Sequence, residues 1–297
     1  MRHRIAPFAW CVLAWNLAVV LWGAYVRASG SGAGCGAHWP LCGGEVIPRA
    51  PSLAKAIEFT HRATSGLALV AVAALAVAVF RWRPRGHPAR RPAAAALALM
   101  GTEAALGAAL VLFRLVAHDE SLARALFMAA HLLNTFLLLA ALALTAARAD
   151  APDARPRRPP DRWALAALGV LAVAGVSGAI AALGDTLHPA GTLREALAQD
   201  LSPTTELFVR LRIWHPAFAG AAAALVLVYA WRILGGADGG RLGWARAATA
   251  LVLGQVALGF ANVALLAPIP LQLAHLMVAD AIWISVVVSA ELRPAST

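Results

Sequence analysis

Long apolar runs alternate with short polar links along the whole chain. A helix needs about 20 mostly apolar residues to cross a bilayer's hydrocarbon core. Eight runs come near that length: 7–27, 59–80, 93–116, 124–146, 163–183, 208–230, 244–266 and 270–291. The pattern predicts an all-α integral membrane protein with eight transmembrane helices, and it leaves little chain for a soluble domain. Composition agrees. Of 297 residues, 61% are apolar and 13% charged, with a mean hydropathy of +0.71, whereas soluble domains carry about 25% charge.

Charge adds an orientation. The formal net charge is +10, yet the cations neither line an exposed helix nor interleave with aromatics, so nucleic acid is not the partner they predict. They occupy alternate links: Arg81, Arg83, Arg85, Arg90 and Arg91, then Arg148, Arg155, Arg157, Arg158 and Arg162, with Arg2 and Arg4 before the first run and Arg232, Arg241 and Arg246 around the sixth link. Cationic links stay in the cytoplasm, which places both termini inside. The start "MRHRIAPFAWCVLAWNLAVVLWGAY" has the basic opening of a signal peptide, but its apolar run is longer than the usual 7–15 residues and predicts a retained first span.

The remaining links, 28–56, 117–123, 184–207 and 267–269, then face outward. In the first of them "GCGAHWPLCGG" carries Cys35 and Cys42, seven positions apart in a compartment where thiols oxidise. A disulfide is the expectation. A free thiol pair is one alternative, and a metal site with His38 is another, one that lacks enough ligands. Cys11, within the first span, is expected to be a small packing residue.

The two halves echo one another. "WGAYVRASG" around Gly23 matches "SGAIAALGD" around Gly178, and His61 with Gly66 matches His215 with Gly220. Glu103, Leu106 and Gly107 match Gln255, Leu258 and Gly259, and "AHL" recurs at 130–132 and 274–276. The matches keep their order, which points to a duplicated four-helix unit: residues 1–147 and 163–297, joined by a polar linker at 148–162. Both halves begin inside, so two pseudo-symmetric four-helix bundles in a parallel internal repeat are expected.

Nine histidines are present. His3 and His87 lie in basic inner links, and His38, His118 and His188 in outer loops. His61, His131, His215 and His275 fall a few residues into runs 2, 4, 6 and 8, at one level near the outer side. A single intramembrane histidine is accounted for by a hydrogen bond to a neighbouring helix. Four at one depth, two per repeat, predict two sites, His61 with His131 and His215 with His275. Facing histidine pairs in a bundle suit haem iron, with zinc or a proton relay as alternatives. Three residues before the histidine, the first half has Glu58 and the second Arg212. Arginine suits a propionate, whereas Glu58 needs another purpose, either favouring the helix N-terminus beside Arg62 or taking part in chemistry.

"GAYVRASGSGAGCGAHWPLC", "IEFTHR", "AHLLNTF", "GAIAALGDTLHPA", "RLRIWHP" and "QLAHLMVADAIW" together resemble the haem A synthase family over essentially the whole chain. That resemblance implies an oxidoreductase that converts a methyl group of haem O to the formyl group of haem A for cytochrome c oxidase. It implies His215 and His275 as ligands of haem b, His61 and His131 at the substrate haem, Glu58 as the carboxylate required for turnover, and Cys35 with Cys42 as the outer-loop cysteine pair. Arg62 and Arg212 are propionate or positioning candidates. The Gly-Ala-His before Trp39 departs from relatives that carry an acidic residue there. Partners implied are a haem O synthase as donor and oxidase assembly factors, with a possible homo-oligomer, in a bacterial cytoplasmic membrane. A haem held by two histidines has no open position, which makes the second site the electron relay and the first the place of chemistry. A non-catalytic di-haem b-type membrane cytochrome passing electrons from quinol is the alternative from another class. A transporter fits less well, because the histidine level is far from the midplane.

Overall fold

The computed structural model describes residues 5–151, 161–202, 204–235 and 239–292. Its helices are α1 (Ile5–Ala28), α2 (Leu53–Trp82), α3 (Arg90–Leu112), α4 (Leu122–Arg148), α5 (Arg162–Leu187), α6 (Leu193–Leu201), α7 (Leu207–Arg212), α8 (His215–Leu234), α9 (Gly239–Ala264) and α10 (Ile269–Glu291). Eight spans are long and apolar enough to cross a membrane, α7 and α8 together forming the sixth. The protein is an all-α, multi-pass membrane protein, and no strand occurs among the described residues. Most of the joint between the halves, 152–160, with Arg155, Arg157 and Arg158, lies outside the described residues, as do Arg2, His3 and Arg4.

Several helix starts are set by polar caps that leave the first amides satisfied. Ser52 accepts from the Lys55 amide, Ser121 from Arg124, Asp161 from Trp163 and Thr192 from Glu195. α6 lies within the link 184–207, where the hydropathy pattern gave no helix; at nine residues and with no buried side chain, it is too short and polar for that signal.

The sixth run is not one continuous helix. α7 ends at Arg212, and Pro216, which has no N–H and crowds the carbonyl four residues back, restarts the chain as α8. The corresponding position in the first half is Arg62, and α2 passes through it unbroken.

α1 packs on α2 and α4, with α3 completing the group; α5 packs on α8 and α10, with α9 completing it. The halves thus share one neighbour order. They meet through α4 against α10, α5 against α4 and α1 against α10. The tightly packed core lies toward the helix ends remote from the disulfide loop, among residues such as Val12, Leu75, Leu142, Val226 and Val286. At the histidine level, most inward positions are only half-buried.

One expectation is corrected, and one link histidine is structural. Cys11 is exposed on α1 rather than packed. His87 is buried: its Nδ1 accepts from the Ala89 amide and its Nε2 lies 3.1 Å from the Ala151 carbonyl, fastening the α2–α3 link to the end of α4.

Candidate haem sites at the loop end of the bundle

The four repeat matches assemble into four glycine–histidine contacts. His61 is the ninth residue of α2, His131 the tenth of α4, His215 the ninth from the start of α7, and His275 the seventh of α10. At about 1.5 Å per residue, they lie within roughly one helical turn of a common depth. Each ring faces a glycine on a neighbouring helix. A Cβ at Gly23 would come within 2.9 Å of His61 Cε1, and one at Gly178 within 2.9 Å of His215 Cε1. Gly259 and Gly107 face His275 and His131 at 3.6 and 4.0 Å. At Gly23 and Gly178, α1 and α5 run so close to the rings that a side chain would displace them.

In the second half the rings of His215 and His275 are 6.4 Å apart and steeply inclined, at 78°. Two imidazole nitrogens about 2 Å from one metal ion put ring centres about 6 Å apart, so this spacing fits an ion held between them. Ser177 Oγ, 3.0 Å from His215 Nδ1, orients that ring with Nε2 free. His61 and His131 occupy the corresponding positions in the first half, facing Gly23 and Gly107. Among the described residues, no three His, Cys, Asp or Glu side chains gather at one point. Any metal held by a histidine pair would therefore take its other ligands from elsewhere, as from a porphyrin, and the half-buried interior at this level is consistent with such a group.

Above the first pair lies the disulfide loop. Cys35 and Cys42 are bonded, with Cα atoms 4.4 Å apart, which removes the thiolates a metal site with His38 would need. Glu58 is buried at 3% exposure. Its Oε2 accepts from the Cys35 amide at 2.7 Å and its Oε1 from Arg62 at 2.5 Å. Arg62 also donates to the carbonyls of His38 and Leu41. Both ends of the loop are thereby tied to one turn of α2. Gly34 presses on the first turn of α2 so closely that a Cβ would fall 2.5 Å from the Ala54 carbonyl carbon.

Over the second pair the polarity is exchanged. Arg212 donates to Asp185 at 2.8 Å, to Asp200 and to the Ala196 carbonyl at 3.1 Å, pinning α6 to α5 and α7. The arginines singled out in the sequence are thus both engaged in holding an outlying segment.

Three further polar residues that sequence reasoning did not select hold this end of the bundle. Arg27 donates to the Ala182 carbonyl at 2.9 Å, Thr186 at 2.8 Å and Gln272 at 2.8 Å, joining α1 to α5 and α10. Ser177 holds His215, and Glu103 stands 3.5 Å from His131 Nδ1. For Glu103 a signal existed: it is a carboxylate inside an apolar run, a costly placement that usually has a purpose.

A family model described as cytochrome oxidase assembly protein (COX15-CtaA) matches residues 6–56 and 52–287. The chain belongs to the haem A synthase family. Within that family's reach, it is 39% identical over 115 residues to a haem A synthase of Alkalihalophilus pseudofirmus, covering 38% of each chain, and 40% identical over 97 residues to that of Halalkalibacterium halodurans, covering 32% of each. It is also 48% identical over 286 residues, 95% of its length, to proteins of two Thermus thermophilus strains named protoheme IX farnesyltransferase. The chain spans about half the length of those Thermus relatives, 47%.

Proposed function

We propose that this chain oxidises a methyl group of haem O to the formyl group of haem A, with the chemistry in residues 1–147 and electron relay in residues 163–297. The observation that carries it is the exchange of polarity over two histidine pairs that the internal repeat relates. The first has a buried carboxylate, Glu58, clamped between Arg62 and the disulfide loop; the second has Arg212 between two aspartates. In this reading His61 and His131 hold the substrate haem, and His215 and His275 hold haem b. Bound there, haem b would supply one-electron transfer.

Glu58 is held still and out of bulk water, so it can take up a proton or stabilise positive charge without reorganising. The disulfide loop is fastened over it through the Cys35 amide and the His38 and Leu41 carbonyls. Arg62 and Arg212 act as positioning residues, each fastening an outlying segment above its site. The loop end faces the outside of a bacterial cytoplasmic membrane, and both termini face the cytoplasm.

The name borne by the Thermus proteins describes farnesyl transfer to protohaem IX, a different reaction. Those proteins are about twice this chain's length, and the half outside the match has room for the named activity. Farnesyl transfer makes the kind of haem that methyl oxidation then consumes. The arrangement supports a haem O synthase as the partner that delivers substrate, and oxidase assembly factors as the receivers.

Glu58→Gln keeps an acceptor for the Cys35 amide but loses the charge. With both haems retained, it should lower haem A formation by about 10²-fold or more, the scale of acid–base assistance. The assay extracts the bound haem and identifies it by mass. Undiminished conversion would remove Glu58 from the mechanism, and haem B as the sole pigment of the wild-type protein would favour the di-haem cytochrome.

A further inference from the structure

The histidine pairs differ in what stands behind them. Glu103 on α3 is clamped by the turn of α4 that follows His131. Asn134 Nδ2 donates to its Oε2 at 2.5 Å, and Thr135 Oγ1 donates to its Oε1 at 2.5 Å. Asn134 is itself fixed, donating to the Leu99 carbonyl at 2.9 Å and accepting from Thr102 at 2.5 Å. A carboxylate within a membrane span is costly unless its oxygens are satisfied, and this one is satisfied by two side chains of the turn that follows His131. Its Oε1 stands 3.5 Å from His131 Nδ1, and that nitrogen is buried with no hydrogen-bond partner of its own.

In the second half every part of this arrangement is missing. Gln255 replaces Glu103, and Val278 and Ala279 replace Asn134 and Thr135. Gln255 Oε1 and His275 Nδ1 are both buried without a partner. The support there falls instead on the other histidine, where Ser177 holds His215; the matching position in the first half is Trp22, which donates to the Ile57 carbonyl, and His61 Nδ1 has no partner.

We propose that Glu103 is a positioning residue for His131. Its carboxylate accepts the Nδ1–H, turns Nε2 toward the site and makes this imidazole a stronger electron donor than any of the other three. A histidine ligand backed by a carboxylate binds oxidised iron more tightly, and loss of such a partner typically changes metal affinity 10–100-fold. The first site thereby holds its haem at a lower potential than an unsupported pair would. This rests on the reading of His131 as a ligand of the substrate haem.

The test uses the full-length protein purified with its haems, whose spectra are assigned by His131→Ala and His275→Ala. In Glu103→Gln, the haem assigned to His131 should shift upward in midpoint potential by at least the tenfold change, about 59 mV for one electron. Its low-spin electron paramagnetic resonance signal should move with it, while the second haem stays unchanged. Thr135→Val removes one clamp without touching the carboxylate and should move the same haem in the same direction by less; it decides the matter if Glu103→Gln does not retain haem. A first haem unmoved by both variants, or a shift confined to the second haem, overturns the proposal. If His131→Ala leaves both haem signals intact, it is the ligand assignment that fails.

Discussion

Gly23 and Gly178 show how far single residues decide these sites. A methyl group at either would overlap an imidazole carbon at 2.9 Å, and the ring would have to swing off its line. Overpacking of that kind costs about 1–3 kcal/mol. Gly178→Ala should therefore lose haem from the second site or change its absorption spectrum. Gly259→Ala, whose new carbon would meet His275 at an ordinary 3.6 Å, should retain haem at near the wild-type level. Equal tolerance at both positions would show that ring placement is not set by glycine contact. Sequence comparison matched Gly23 to Gly178 and His61 to His215 through the repeat, so that both a glycine and a histidine recur. It could not say that they touch, because 38 residues separate His61 from Gly23 along the chain and only helix packing closes that gap.

Among elements, the disulfide loop and the broken sixth span carry the difference between the halves. The loop is stapled covalently at Cys35–Cys42 and electrostatically by Glu58 and Arg62. A cross-link over so short a segment contributes roughly 2–3 kcal/mol by the chain-entropy model. Cys35→Ser, or reduction of the wild type, should raise hydrogen exchange across residues 36–51 and lower haem A yield if the loop is a lid. An activity indifferent to both treatments would leave the disulfide no part in turnover. In the second half, Pro216 cuts the helix at the level where Arg212 meets Asp185 and Asp200, and α6 replaces the loop as the covering segment. The hydropathy pattern missed both α6 and the break, since it averages over a window longer than either feature. The proline was legible and the partners of Arg212 were not.

At the scale of the molecule, the halves are locked by contacts that no repeat predicts. Phe136 stacks on Trp283 at 4.7 Å, Trp283 Nε1 donates to the Phe136 carbonyl at 2.8 Å, and the Phe136 ring occupies the space where a Cβ of Gly175 would be. Arg27 bridges the same two halves nearer the histidines. Trp283→Ala removes a buried aromatic and its hydrogen bond, an order of about 3–5 kcal/mol. It should lower the thermal midpoint in detergent and release haem from both sites together. Loss from one site alone would mean that the halves hold their haems independently. By itself the sequence determined the eight spans, the duplicated unit, the four histidines at one depth and the exchange of Glu58 for Arg212. These follow from local composition and fixed helical rise, which a linear pattern records. Only the tertiary structure decided that Glu58 grips the Cys35 amide, that Glu103 stands behind His131 and Ser177 behind His215, and that both candidate arginines are already engaged. Those are contacts between side chains tens of residues apart, set by which helix faces meet, and no spacing along the chain encodes them.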